Sequence, residues 1–184
     1  AQHPAGIDAG AFHTDVAAVG HERVLLAHEL AFQDTQATLA ALGRELGDEL
    51  VTIFVSNAEL PIGDAVAAYP FNSQIVTVRR DPLDMVLIAP VESRDNPRAR
   101  AVLERVVAEA NPISRVVYLD VRQSMKNGGG PACLRQRVPL TPDEISALTA
   151  RVMIDEPLLA ELEAWVTRHY REQLSPADLA DPAL

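Results

Sequence analysis

Apolar residues in the N-terminal part of the chain form short strand-like runs separated by one helical segment. Residues 31–46 are rich in Ala and Leu and stop at Gly47, which predicts a helix. Residues 60–69 follow as a loop or a short helix that begins at Pro61. Short runs of β-branched and apolar residues predict strands at 12–19, 24–28 and 50–55.

The same order of elements recurs further along the chain. An amphipathic helix is predicted at 97–110, because its apolar residues recur at helical spacing. Val24 and Val86 are 62 positions apart, and Leu50 and Arg115 are 65 apart. Two strand-strand-helix-strand units indicate part of a pseudosymmetric α/β array, since such arrays usually need three or more units. The strands of the second unit are expected at 74–78, 85–89 and 115–120.

The last part of the chain begins with a glycine loop and ends in helices. We predict a strand over 133–140, where apolar and polar residues alternate. Thr141, with Glu144 three residues later, has the pattern of a capping box and begins a helix. Residues 158–170 carry apolar residues at helical spacing and predict a second helix, which Asp155 can cap.

Composition narrows the functional classes. The chain of 184 residues is 48% hydrophobic, so it can bury a core, and its formal net charge is −10. Nucleic acids and anionic membranes require a basic face, so we expect neither as a partner, and a small-molecule substrate stays open. No apolar run reaches the roughly 18 residues of a membrane span, and no signal peptide is visible, so the cytoplasm is the expected location.

Several side chains that often carry chemistry have unremarkable spacing here. A single cysteine, Cys133, excludes an internal disulfide and a Cys-rich metal site. The glycine triplet 128–130 is not a phosphate loop, because no Gly-Lys-Ser/Thr follows it. His13, His21 and His28 lack the spacing of a metal-binding pair, so no metal is expected. We expect His21 and His28 at strand ends.

Cys133, His13 and Asp15 are the residues from which a reaction could be built. A thiol needs a base or a positive neighbour to react at neutral pH, and Cys133 follows a flexible glycine loop. His13 and Asp15 are two apart on the predicted first strand, which would place both side chains on one face. A lone cysteine is more often a small buried hydrophobe, and a His–Asp pair can simply satisfy itself in the core. From the residues alone, a thiol hydrolase of unnamed substrate and a purely structural role both stay open.

Segments that cover most of the chain resemble, in order, the N-succinylarginine dihydrolase family. The most specific is the run 123–135, which contains Lys126, the glycine triplet and Cys133. Gln136 and Pro70 depart from the family pattern, and neither carries a proposed role. The other matching segments are 7–10, 12–15, 57–61, 71–74, 165–166 and 169–171.

The resemblance implies a pentein propeller, in which five strand-strand-helix-strand units surround a central channel that holds the active site. This chain would then be a partial pentein propeller of the α/β class, forming one partial catalytic domain over 1–184. Residues 1–70 would form one unit, 71–122 a second, and 123–184 a closing strand and helices. About the first half of the family's chain, and a short stretch beyond Leu184, are expected to be absent.

By the same resemblance, Cys133 is the nucleophile, His13 is the general acid/base, and Asp15 and Asn127 bind the substrate. A carboxylate suits a guanidinium because their hydrogen bonds are charge-assisted. The implied reaction converts N-succinylarginine to N-succinylornithine, two ammonia and carbon dioxide, with no metal or organic cofactor. A homodimer is implied for the full-length protein.

Two other functions remain open at this point. An arginine deiminase or amidinotransferase of the same superfamily would use similar Cys, His and Asp chemistry, and a deiminase would release one ammonia instead of two. The 184 residues could also be a non-catalytic fragment, because the rest of the pocket would lie in the missing half.

Overall fold

The computed structural model describes residues 1–126, 129–134, 138–171, 173 and 175–180. The chain divides into two compact units, Ala1–Gln136 and Arg137–Leu184. Within the described residues, no helix is both long and apolar enough to cross a membrane.

The first unit begins with a three-stranded sheet in which β1 pairs antiparallel with β2, and β2 pairs parallel with β3. The central strand β2 is apolar along most of its length and is largely buried, as expected for a strand with a neighbour on each side. The helices and strands of this part are α1 (Pro4–Asp8), β1 (Ala18–His21), β2 (Val24–His28), α2 (Thr35–Leu46), β3 (Val51–Val55) and α3 (Ile62–Ala68).

A second sheet follows with the same strand order and the same pairing. Its first two strands are antiparallel, its last two are parallel, and the middle strand is again the most buried. The elements are β4 (Gln74–Arg80), β5 (Leu83–Pro90), α4 (Val91–Asp95), α5 (Pro97–Ala108), β6 (Ile113–Leu119) and α6 (Arg122–Lys126). The α/β class is therefore confirmed, and the order strand-strand-helix-strand occurs twice, with the short α4 as an unpredicted addition.

The two connecting helices differ in how deeply they are packed. Asn96 caps α5 by accepting the backbone N–H groups of Arg98 and Ala99, and Pro97 occupies the first turn. Asp34 caps α2 in the same way, and yet α2 has no fully buried residue. The buried residues of α5 are Ala99, Val102, Leu103 and Val106.

One hydrophobic core joins the two sheets. Arg105 of α5 adds polar links to the first repeat, because its guanidinium bonds to the Glu59 carboxylate and donates to the Phe54 carbonyl at 3.0 Å. The two repeats therefore fold as one compact body. Apolar core residues come from both central strands, from α5 and from the β3–α3 segment, and include Leu26, Ile53, Val55, Leu60, Ile75, Leu87, Val102, Leu103 and Ile113.

The prediction of a strand over 12–19 is wrong for most of its length. Residues Thr14–Val16 form a 3₁₀ turn in which the His13 carbonyl accepts the Val16 N–H, and β1 starts only at Ala18. The short-range backbone hydrogen bonds of this turn, Val16 N–H to the His13 carbonyl and Ala17 N–H to the Thr14 carbonyl, take the place of strand pairing.

The unit Arg137–Leu184 contains two helices with the predicted caps. In α7 (Pro142–Ser146), Thr141 and Glu144 form the expected capping box. Asp155 caps α8 (Glu156–His169) by accepting the Leu158 N–H at 2.8 Å. A 3₁₀ turn at Asp178–Ala180 follows.

His21 and His28 lie at the ends of β1 and β2, as predicted. His28 is fully buried, and its Nδ1 accepts the Leu30 N–H at 3.0 Å while its Nε2 donates to the Leu60 carbonyl at 2.8 Å. That pattern requires a neutral ring with the proton on Nε2. Burial lowers the pKa of His28, although the Leu60 hydrogen bond and the Glu29 carboxylate act in the opposite direction.

We predict that His28 makes the fold weaker in mild acid. Because the pKa of His28 is lowered from 6.5 in the folded chain, the unfolded state binds more protons below that pH. The free energy of unfolding should therefore hold above pH 6.5 and fall below it, by up to about 1.4 kcal/mol per pH unit. Urea unfolding at a series of pH values measures this slope.

The matched variants are His28→Gln, which should lose most of the slope just below pH 6.5, and His13→Gln, which should keep it. His13 is exposed, so this variant controls for the replacement of a histidine outside the core. An unchanged slope in His28→Gln would contradict the assignment.

Candidate active site

The candidate nucleophile lies close to one edge of the second sheet. Leu119, the last residue of β6, pairs with Pro90 at the end of β5, and β4 starts beside them because Gln74 pairs with Ile88. The chain leaves β6 through α6 and then returns to this edge, where the Gln74 amide donates to the Pro131 carbonyl at 3.0 Å.

Cys133 sits in a turn, so the strand predicted over 133–140 is wrong. The Gly130 carbonyl accepts the N–H groups of Cys133 at 2.9 Å and of Leu134 at 3.3 Å, and Pro131 sets the turn because its φ is fixed. Residues 138–140 form no strand, and 135–137 lie outside the described residues. The turn exposes the thiol of Cys133, whereas Ala132 is buried.

Asn72 is the side chain that holds this turn. It lies two residues before β4, and only 1% of its surface is exposed. Its Oδ1 accepts the Ala132 N–H at 3.1 Å, and its Nδ2 lies 3.9 Å from Cys133 Sγ, a long N–H···S contact. The thiol is therefore presented by residues from two distant parts of the chain.

Gly130 is required by this packing because there is no space for a side chain. A Cβ at Gly130 would lie 2.2 Å from Asn72 Oδ1 and 3.3 Å from Tyr69 Cδ1. Gly130 thus allows the backbone of the turn to approach the buried Asn72 amide closely. The last glycine of the triplet is explained by sterics, which the sequence pattern alone did not indicate.

His13 and Asp15 lie in the segment that leads into β1 of the first sheet, just as Asn72 lies in the segment that leads into β4 of the second. Both side chains are exposed. Asp15 lies within the 3₁₀ turn and His13 precedes it, so the shared strand face on which their pairing was predicted does not exist. Their assignment as a pair consequently depends on the family resemblance and not on strand geometry.

The contact that the structure shows at the candidate nucleophile is with a residue outside the predicted site. Cys133 is in contact with Asn72, which sequence reasoning gave no role, although 71–74 was one of the segments resembling the family. The side-chain contact recorded for Cys133 in the described part of the chain is with Asn72, and no hydrogen bond to His13 is among those found there. Asn127 lies outside the described residues.

A groove of about 660 Å³ on the first unit does not include the candidate nucleophile. Its charged groups serve the fold, since Arg105 pairs with Glu59 and Glu109, and the Glu29 carboxylate accepts the Asn57 N–H at 2.6 Å. Among the described residues, no group of three or more His, Cys, Asp or Glu is arranged to hold a metal ion.

Comparison with known proteins places the chain beside one enzyme family. Residues 1–184 match the family model described as succinylarginine dihydrolase. A relative from Myxococcus xanthus named N-succinylarginine dihydrolase is 58% identical. Proteins of the same name from Hahella chejuensis and Chromohalobacter salexigens are 49% and 50% identical. Each alignment covers 100% of this chain and 41% of the relative, so the chain spans about two fifths of the length of these curated relatives.

We predict that Gly130→Ala destabilises the first unit, because the new Cβ must push Asn72 or the turn out of place. Overpacking of this kind costs about 1–3 kcal/mol of unfolding free energy, measurable by urea denaturation. Gly63→Ala is the matched control, since a Cβ there meets nothing within 4 Å. Inside α3 it should stabilise by about 0.5–1 kcal/mol. Equal effects of the two substitutions would contradict the packing described for Gly130.

Proposed function

Because this chain belongs to the succinylarginine dihydrolase family, we propose that it supplies the nucleophile and the general acid/base for hydrolysis of the guanidine group of N-succinylarginine. In this proposal Cys133 attacks the guanidinium carbon and His13 transfers protons. Asp15 and Asn127 bind the substrate. The curated relatives are more than twice as long as this chain. The catalyst in this proposal is the full-length protein.

The placement of Cys133 carries the proposal. A structural cysteine would be buried among apolar side chains, whereas this thiol is exposed at the end of a turn whose preceding residues are buried. A nucleophile requires a sulfur that is accessible to the substrate on a backbone that is held in place. The fixed backbone sets the direction of attack, and the exposure lets the substrate enter.

The proposed chemistry uses the same groups twice. The Cys133 thiolate forms a bond to the guanidinium carbon, and a C–N bond breaks as His13 protonates the departing ammonia. His13 then takes a proton from water, which attacks the same carbon and releases the thiolate. A second round consumes another water and expels the second ammonia, which leaves a carbamate on the δ-nitrogen. The remaining C–N bond breaks as the carbamate loses carbon dioxide, and N-succinylornithine is formed.

The exposed side chains of His13 and Asp15 suit these roles. An exposed imidazole can exchange protons with water and substrate, and an exposed carboxylate can accept N–H groups of an incoming guanidinium. Both residues belong to one segment that precedes β1, so a single backbone element would position acid/base and substrate-binding groups.

We further propose that the two repeats are neighbouring units of a five-unit pentein propeller. Their identical strand order and mixed pairing support this, since pseudosymmetric arrays reuse one supersecondary unit. The same resemblance extends the proposal to a homodimeric, cytoplasmic full-length enzyme.

The test is Cys133→Ser in the full-length protein. Loss of the thiolate should lower kcat for N-succinylarginine by at least ~10⁴-fold, because a hydroxyl is far less ionised at neutral pH. Ammonia release and N-succinylornithine formation are measured together. The thermal unfolding midpoint should stay close to that of the unmodified protein, since the side chain is exposed.

Two outcomes would contradict the proposal. Retained turnover in the folded Cys133→Ser variant would remove Cys133 as nucleophile. One ammonia per substrate, with an N-succinylcitrulline product, would instead identify a deiminase.

A further inference from the structure

We propose that Asn72 is a positioning residue for Cys133, and that its side-chain amide both fixes the turn and directs an N–H group at the sulfur. This inference rests on the proposed role of Cys133 as the nucleophile. It adds a residue from a different part of the chain to the site, 61 positions away in sequence.

The orientation of the amide follows from its partners. The Ala132 N–H is a donor, so the atom of Asn72 that faces it at 3.1 Å must be the carbonyl oxygen Oδ1. The NH₂ group is then the end that faces Cys133 Sγ, at 3.9 Å. The flipped amide would set two donors against each other at Ala132 and offer an oxygen to the sulfur.

The amide is also held against rotation. Asn72 is almost completely buried, and Gly130 approaches its oxygen so closely that a Cβ would not fit. Phe71, the residue before it, is fully buried in the core. Because the core fixes the amide, it also fixes where its N–H points.

An N–H aimed at sulfur favours the charged form of the thiol. The thiolate is the reactive species, and it accepts hydrogen bonds better than the neutral thiol. A donor held at 3.9 Å from the sulfur therefore interacts more favourably with a thiolate than with a thiol. A carboxylate in the same place would do the opposite, because two negative charges would lie close together.

The experiment measures how fast iodoacetamide alkylates the single cysteine of the 184-residue chain, as a function of pH. The rate at each pH follows the thiolate fraction, so the midpoint of the profile is the pH at which half of the thiol is ionised. The sequence contains one cysteine, so the signal is specific to Cys133. No substrate is needed, so the result does not depend on whether N-succinylarginine is turned over.

Asn72→Asp keeps an oxygen for the Ala132 N–H and replaces the donor with a carboxylate. We expect its midpoint to move to higher pH, with alkylation near neutral pH slowed by at least about 5-fold. Asn72→Ala removes the donor without adding charge, and should move the midpoint in the same direction by a smaller amount.

Two neighbouring variants separate this effect from loosening of the turn. Gln74→Ala removes the hydrogen bond to the Pro131 carbonyl but leaves the Asn72 amide in place. Ser73→Ala removes a buried hydroxyl that has no hydrogen-bond partner among the described residues. Both should keep the midpoint of the unmodified chain, with circular dichroism confirming that each variant is folded.

The proposal is overturned if neither Asn72 variant moves the midpoint, or if Gln74→Ala moves it as far as Asn72→Ala does. If both Asn72 variants unfold, Gly130→Ala decides the question, because its Cβ must separate the turn from the Asn72 amide without changing either side chain of the contact. An unshifted profile in folded Gly130→Ala would then refute the role. A shifted profile in a chain whose full-length form lacks activity would overturn the proposed function while leaving the contact between Asn72 and Cys133 established.

Discussion

Both sheets pack against a shared apolar core, and this packing fixes the positions of the other elements in the unit Ala1–Gln136. The central strands β2 and β5 are buried along most of their length, and α5 fills the space between the repeats with Val102 and Leu103. Arg105 then links α5 to the C-terminal end of β3 by donating a hydrogen bond to the Phe54 carbonyl. With the core fixed, the edge where β4 begins is fixed, and that edge holds the turn that carries Cys133. The thiol of Cys133 is exposed, but the buried core determines its position.

The repeated strand-strand-helix-strand order could be predicted because it depends on long apolar runs. The residues 24–28 and 97–108 have strong periodic or continuous hydrophobic patterns, and they form the predicted strand and nearly the predicted helix. The capping box at Thr141 could also be predicted from the sequence, because it depends on hydrogen bonds between residues close together in the chain. The predicted strands at 12–19 and 133–140 failed because short-range turns at Thr14 and Pro131 override weak alternation.

The candidate site was only partly predictable for a related reason. Cys133, His13 and Asp15 could be singled out from residue type and spacing, and the family resemblance supplied their roles and added Asn127. Asn72 carried no signal of its own, because a polar residue before a strand is ordinary. Its importance comes from a contact between segments about 60 residues apart, which depends on how the sheet returns the chain to its edge. Long-range contacts of this kind cannot be deduced from spacing.

The central claim is that the sulfur of Cys133 attacks the guanidine carbon. The most direct measurement is mass spectrometry of the full-length protein, quenched during turnover of N-succinylarginine that carries an isotopic label in its guanidine carbon. If Cys133 is the nucleophile, a labelled covalent adduct should appear on the peptide that contains Cys133, form at a rate at least equal to turnover, and disappear when substrate is exhausted. Turnover with no label on that peptide, or label on a different residue, would contradict it.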